Sequence, residues 1–435
     1  MGNKKILFIL IGIISVAVFV TFILVLRNIG GVGKTQNSTV TFWGVYDDHT
    51  AFDQVIKNFK TLHPEITVKY QMFSYDTYEQ DLINALAAGT GPDIFMIHNT
   101  WLPKHGNLLT PVPASIPGLS QPLFTMQTYQ SQFVDVAAQD LTYQSQIYAV
   151  PLYIDTLALY YNRDFFNNAA LTRPPQTWDE VNADVSALTR IDVQGNISQP
   201  GIALGTARNI NRSTDILMDM MIQSGVQMTS SDNLSATFDA SVGGQKVGEL
   251  ALQYYTDFAN PRKQTYSWND SQAYSIDAFT QGNLAMMVGY SHDTATIRAK
   301  APRLNFAIAP MPQASVANIR NFANYWAAGV SKTSKNTNDA WQFLAYLSSK
   351  DGESAYLNAT GRPAARRDLI DLQRSDPDTG IFAVQALTAR SWFQADNNAI
   401  ETIFANMIDD VNYNRATIPD ALGQAQSKVT VLMQK

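Results

Sequence analysis

The chain has 435 residues, 46% hydrophobic and 16% charged, enough apolar material for two or three domains and too much for disorder to be the main state. Apart from Lys4, Lys5, Arg27 and Lys34 at the N-terminus, it carries 27 basic against 37 acidic residues, which excludes a phosphate backbone as partner. The absence of cysteine excludes disulfides, Cys-ligated zinc, iron–sulfur clusters and a thiol nucleophile.

Residues 6–26 form an uncharged apolar run of 21, matched to a bilayer core at about 1.5 Å per residue. The run is longer than the apolar stretch of a cleaved signal, and Val-Leu-Arg follows it in place of a small-x-small site. It is expected to be an uncleaved single-pass transmembrane helix, a signal anchor in the cell membrane, with the body on the extracytoplasmic side. The next stretch, Asn28-Ile-Gly-Gly-Val-Gly-Lys-Thr35, resembles the end of a phosphate-binding loop. Its first glycine is Asn28, and a membrane segment precedes it where a strand is needed, so it reads as a flexible linker.

The body alternates strands and helices. Residues 40–43 read as a strand, and 50–62 as a helix with Phe52, Val55, Ile56, Phe59 and Leu62 at helical spacing. A strand at 66–70, a helix at 75–88 and a strand at 94–97 follow, an order that predicts a parallel sheet covered by helices. Thr177-Trp-Asp-Glu180 reads as a capping box ahead of another helix. Residues 190–236 are rich in Asn, Ser, Gly and Gln and read as mostly loop. Residues 279–290 and 304–310 return to the strand–helix rhythm, and Thr417 caps a last helix with Ile418, Ala421, Leu422, Ala425, Val429 and Leu432 inward.

Ligands of open α/β sheets sit beyond the carboxyl ends of the strands. There the sequence places Trp43, Tyr46, Asp47 and Asp48 after the first strand, and His98, Asn99 and Trp101 after the third. Aromatic faces beside carboxylates and amides suit a ligand with C–H faces and many hydroxyls. Trp43, inside its strand, reads equally well as core. Gly289-Tyr-Ser-His-Asp293 resembles a nucleophile elbow but has Asp293 in place of the second glycine. The five histidines (49, 63, 98, 105, 292) build no metal site by spacing, and no cofactor motif is present, so no metal or cofactor is expected.

The phrases TFWGVYDDHTAFDQVIKNFKTLHPEITVKY, INALAAGTGPDIFMIHNTWL, YAVPLYIDTLALYYNRDFF, PPQTWDEV, AFTQGNLAMMVGYSHD, NFAIAPMP, NYWAAGVSKTSKNTNDAWQFLAYLSSKDG and GRPAARRDL follow one another across residues 39–430. In order and spacing they resemble the extracellular solute-binding proteins of ABC importers, in the sugar-binding family that includes the maltose-binding proteins. The resemblance implies an α/β, two-lobed, periplasmic-binding-protein-like fold with the ligand in a cleft between the lobes. It implies 1–38 as anchor and linker, 39–152 and 305–350 as lobe I, and 153–304 and 351–435 as lobe II. It implies no catalysis, a carbohydrate ligand, docking of the closed form on ABC permease subunits, and a monomer. Carried over residue by residue, the ligand-binding set is Tyr46, Asp47, Asp48, His98, Asn99, Trp101, Tyr153, Asp155, Tyr290, Ser291, Tyr325, Trp326, Arg362 and Trp392. Trp101 and Trp326 are expected to face the solute, and Asp48 and Arg362 to bond its polar edges. Two other readings stay open from sequence: a surface glycan hydrolase using Asp47, Asp48 or Asp155, and a ligand sensor without transport.

Overall fold

A computed structural model describes residues 37–434; the apolar run 6–26 and the glycine-rich stretch 28–35 lie outside the described residues. Among the described residues no helix is long and apolar enough to cross a membrane.

The chain opens with β1 (Ser38–Val45), α1 (Thr50–Leu62), β2 (Ile66–Phe73), α2 (Tyr75–Ala87) and β3 (Ile94–His98). It continues through β4 (Leu109–Thr110), β5 (Ala149–Pro151), β6 (Asp155–Thr156) and β7 (Ala158–Asn162). Beyond these come α3 (Trp178–Leu188), α4 (Ser213–Gln223), β8 (Met286–Gly289), β9 (Phe306–Pro310), β10 (Asn321–Asn324) and β11 (Trp326–Ser331). The last elements are α5 (Lys350–Thr360), β12 (Ala389–Arg390), α6 (Asn397–Asn412) and α7 (Ile418–Met433).

Two separate cores divide the molecule. Lobe I is built on the sheet β2-β1-β3-β11-β4, with β5 also on β11. As the strand–helix alternation predicts, β1 runs parallel to both β2 and β3. The added strand β11 is antiparallel, and its register sets Trp326 beside His98 at the end of β3. Ala51, Phe52, Val55 and Phe59 of α1 are buried at helical spacing, which turns one face of the helix onto this sheet. Lobe II is built on β8-β7-β9, all antiparallel neighbours.

The lobes are joined through the small sheet β12-β10-β6, so that three crossing segments lie side by side. This corrects the expected boundaries. The second crossing falls near Phe322 rather than Asn305, because β7 takes β9 as its second partner and holds residues 306–310 in lobe II. Residues 351–370 remain in lobe I: the Tyr356 ring packs 5.3 Å from Phe52, and Leu357, Leu369 and Ile370 are in the lobe I core. Residues 190–236, expected to be mostly loop, contain α4, every residue of which is buried. Thr177 accepts from the Glu180 amide at 3.3 Å as expected, but Glu180 does not close the box. Its carboxylate takes the Gln176 amide at 2.7 Å and Arg173 instead.

Candidate functional site

Between the lobes lies a central cavity of about 70 Å³. Lobe I contributes Tyr46 from the end of β1, Tyr75 from the start of α2, His98 and Thr100 from the end of β3, and Trp326 from the start of β11. The crossing strand β10 contributes Asn324, while lobe II contributes Arg212 and Asp215 at the start of α4 and Glu401 in α6. Tyr46 and Tyr75 stack at 5.2 Å, and Trp326 meets them edge-on at 5.9 and 6.2 Å. The two tyrosines are 55% and 42% exposed, so their side of the aromatic shelf is open to solvent, while Trp326 behind them is buried in the lobe I core.

Two cavity residues have left-handed backbones, Tyr46 at φ 64° and Arg212 at φ 55°. That conformation is costly for side chains of this size and concentrates where a fold fixes a ligand contact. At Arg212 it starts α4 and turns the guanidinium onto Asp215, with Nε and Nη2 each 2.9 Å from a carboxylate oxygen. Glu401 approaches the same guanidinium at 3.4 Å. Burial works against the Arg212 charge, but the carboxylates of Asp215 and Glu401 hold its pKa above the ordinary value.

A hydrogen-bonded chain runs through the wall from one lobe to the other. The Asn324 amide nitrogen donates to Asp215 at 3.2 Å, so its oxygen faces His98 Nε2 at 3.1 Å. Nε2 therefore carries the proton, and Nδ1 accepts from the Thr100 hydroxyl at 2.8 Å. Tyr290 closes the chain by donating to Asp215 at 2.7 Å. Burial, with the Arg212 charge adding to it, pushes the His98 pKa down to about 4, so the ring is neutral at pH 7.

Of the residues named from sequence, Tyr46, His98 and Trp326 line this cavity. The others stand elsewhere. Asp47 is buried, with Arg362 at 2.6 Å and the Tyr356 hydroxyl at 2.6 Å, and the Arg362 guanidinium lies over the Tyr153 ring at 4.3 Å. Asp48 is exposed and caps α1, accepting the Thr50 amide at 2.8 Å; the Thr50 hydroxyl and amide hold its carboxyl below the usual range. So Asp48 is a helix cap and Arg362 a structural partner of Asp47, and neither reaches the central cavity.

Trp101 is 3% exposed, stacks on Tyr78 and donates to Asn397 at 3.1 Å, which makes it a core residue and a tie between the lobes. Asn99 and Tyr325 both donate to Asp140 inside lobe I, at 3.0 and 2.9 Å. Trp392 is in the lobe II core. Ser291 donates to Asp155 at 2.6 Å, and neighbouring His292 faces Asp293 at 3.6 Å, so the Gly289–Asp293 stretch forms no Ser–His pair. Tyr75, Arg212, Asp215, Asn324 and Glu401 carry no motif. Tyr75 and Asp215 each stand in the first turn of a helix, the one positional signal available.

Comparison with known proteins decides the family. The profile of the bacterial extracellular solute-binding proteins matches residues 45–354. The chain belongs to that family. A putative binding protein of Brucella abortus is 23% identical over 396 residues, covering 88% of this chain and 90% of that one. The lactose-binding protein of Rhizobium radiobacter is 23% identical over 327 residues, 72% of this chain and 70% of its own. Among solved structures, an ABC transporter solute-binding protein of Thermotoga lettingae, bound with α-D-tagatose, is 25% identical with a TM-score of 0.69. The alignment covers 91% of this chain and 100% of that one. The cyclic α-maltosyl-1,6-maltose binding protein of Arthrobacter globiformis, 20% identical with a TM-score of 0.75 over 91% of this chain and 99% of its own, has the same two-lobed fold.

Proposed function

We propose that this solute-binding protein captures a carbohydrate between its lobes and presents it to the permease of an ABC importer, held at the membrane surface by residues 6–26. The observation that carries the ligand class is the cavity wall. The stacked rings of Tyr46 and Tyr75, edged by the buried Trp326, offer flat apolar faces, and Glu401 and Arg212 offer an acceptor and donors beside them. A relative named for lactose and a structure holding tagatose support the same class. Capture depends on lobe motion. A volume of about 70 Å³ is room for about two waters, so a sugar enters an opened form and the lobes close on it. Binding rather than hydrolysis is supported by the cavity carboxylates: Asp215 is engaged by Arg212, Tyr290 and Asn324, and Glu401 faces the same guanidinium.

A thermal-shift screen of the purified body against a sugar panel tests the reading. A sugar at about 100 times its Kd should stabilise by roughly 2.7 kcal/mol, visible as a rise in Tm. Tyr75→Ala should reduce that rise while the ligand-free Tm stays within a few degrees, because the ring is half-exposed. No shift with any sugar, or an undiminished shift in Tyr75→Ala, would sink the assignment.

A further inference from the structure

Beside the central cavity lies a much larger groove. Thr100 and Gln394 line both, and the groove holds about 1190 Å³ between lobe I residues 99–111 and 139–148, lobe II residues 222–233 and the crossing segment 390–394. That exceeds what one monosaccharide fills; pockets of roughly 300–1,000 Å³ already enclose drug-sized molecules.

Its charge runs against that of the chain. The whole sequence has a formal net charge of −6, yet the groove is lined by Lys104, Arg320, Lys332 and Arg390 against a single carboxylate, Asp140. Lys104 is already neutralised by Glu79 at 2.6 Å and Asp396 at 2.9 Å. Among the described residues, none of Arg320, Lys332 and Arg390 has a carboxylate within 4 Å. Arg320 and Arg390 each spend one guanidinium nitrogen on a backbone carbonyl, of Ile222 at 3.0 Å and Ala389 at 2.7 Å, which fixes the groups without neutralising them. Asp140 offsets one of them, because the bonds it accepts from Asn99, Tyr325 and Ser391 come from neutral groups and leave its charge in place. Three cations against one carboxylate leave an excess of two positive charges in a groove shared by both lobes, a local positive field with a ligand-sized space in it.

From this juxtaposition we infer that the ligand is an acidic oligosaccharide. One end reaches the central cavity, and its carboxylate, sulfate or phosphate groups lie in the groove against Arg320, Lys332 and Arg390. The inference rests on the carbohydrate reading above and narrows it. An arginine meets such a group bidentately and a lysine as a point charge. Tyr143 and Tyr148 on the lobe I wall supply ring faces for the sugar between the charged groups.

The test is calorimetry with one mixed panel of short oligosaccharides. Neutral members (maltotriose, lactose, mannobiose) stand beside oligogalacturonates and sialyllactose for carboxylate, chondroitin disaccharides for sulfate, and sugar phosphates for phosphate. The tightest binder should be acidic, with its chemistry identifying which anion is used. Raising NaCl from 0.05 to about 0.5 M should weaken it roughly tenfold, the combined effect of two or three solvent-facing ion pairs. Lys332→Gln and Arg390→Gln should each weaken that ligand about threefold and leave neutral sugars unchanged; exposed Lys332 can be replaced without disturbing the core. A neutral sugar as the tightest binder overturns the acidic class and leaves the carbohydrate reading standing. An acidic ligand indifferent to both substitutions shows that the groove is not its site and overturns the inference. No binding by any member removes both.

Discussion

His98 is one ring on which the two lobes and the crossing strand all depend. Its neutral form accepts from Thr100 and donates to Asn324; a second proton would reverse the Thr100 contact and set a charge near Arg212 inside the protein. The pKa is about 4 in the folded chain against 6.5 for an ordinary histidine. Between those values the unfolded state binds more protons, so this residue's contribution to stability is complete at pH 7 and falls as pH drops from 6.5 towards 4. Asp140 acts in the opposite direction. Burial pushes its carboxyl up to about 6, so its contribution is present at low pH and is lost as pH rises through that value. A variant pair isolates the histidine because Asp140 is common to both. The stability gap between the wild type and His98→Gln should be widest near pH 7. It should narrow below pH 6.5, by at most about 1.4 kcal/mol per pH unit. Denaturant titrations from pH 7.5 to 4.5 would show this; a constant gap would mean that the ring is not held neutral by the fold.

Helix α4 shows at the scale of an element what the sequence does and does not display. Helix α1 was legible because only one face is buried, so Phe52, Val55 and Phe59 recur at the helical period. In α4, Ser213–Gln223, all faces are buried, the pattern has no period, and flanking Asn and Ser residues make it look like loop. The site was legible to the same degree. Tyr46, His98 and Trp326 stand at strand ends, where an open sheet presents its ligand residues. Arg212, Asp215 and Glu401 meet them only because the chain crosses between lobes, which no local pattern records. The energetic weight of α4 lies in its first turn. Asp215 is 2% exposed and anchors Arg212, Tyr290 and Asn324. Asp215→Ala leaves those donors without their acceptor and should lower unfolding stability by about 3–5 kcal/mol. The half-exposed Glu401, changed to Ala, should cost less than about 1 kcal/mol. Urea unfolding of the two variants distinguishes them, and comparable losses would mean that Asp215 is not the anchor of this end of the helix.

The lobes of the whole molecule touch across a line of polar contacts at the edge of the cleft. Lys104 Nζ sits between Glu79 of its own lobe and Asp396 of the other, at 2.6 and 2.9 Å, and Trp101 donates to Asn397 one residue further on. Asp396 also caps α6, accepting the Ala399 amide at 3.1 Å, so the latch is tied to a lobe II helix. On the hinge side, Gln139 donates to the Ser391 carbonyl at 3.1 Å, and the Ser391 hydroxyl donates to Asp140. The Lys104 and Trp101 contacts tie one lobe to the other, so they favour this arrangement of the lobes before any ligand arrives, and ligand affinity inherits that bias. The Lys104–Asp396 pair is about one-third exposed, so its share is small, about 0.2–1 kcal/mol after solvent screening. Lys104→Met keeps the apolar stem and removes the charge. It should weaken ligand binding about 1.5- to 5-fold and raise the ligand-free radius of gyration measured by small-angle scattering, with both differences shrinking at high salt. The ligand-bound radius should match the wild type, because ligand contacts close the lobes in either protein. An unchanged ligand-free radius together with unchanged affinity would show that the pair forms on closure without favouring it, and that the closed arrangement is held by Trp101, Gln139 and the crossing strands alone.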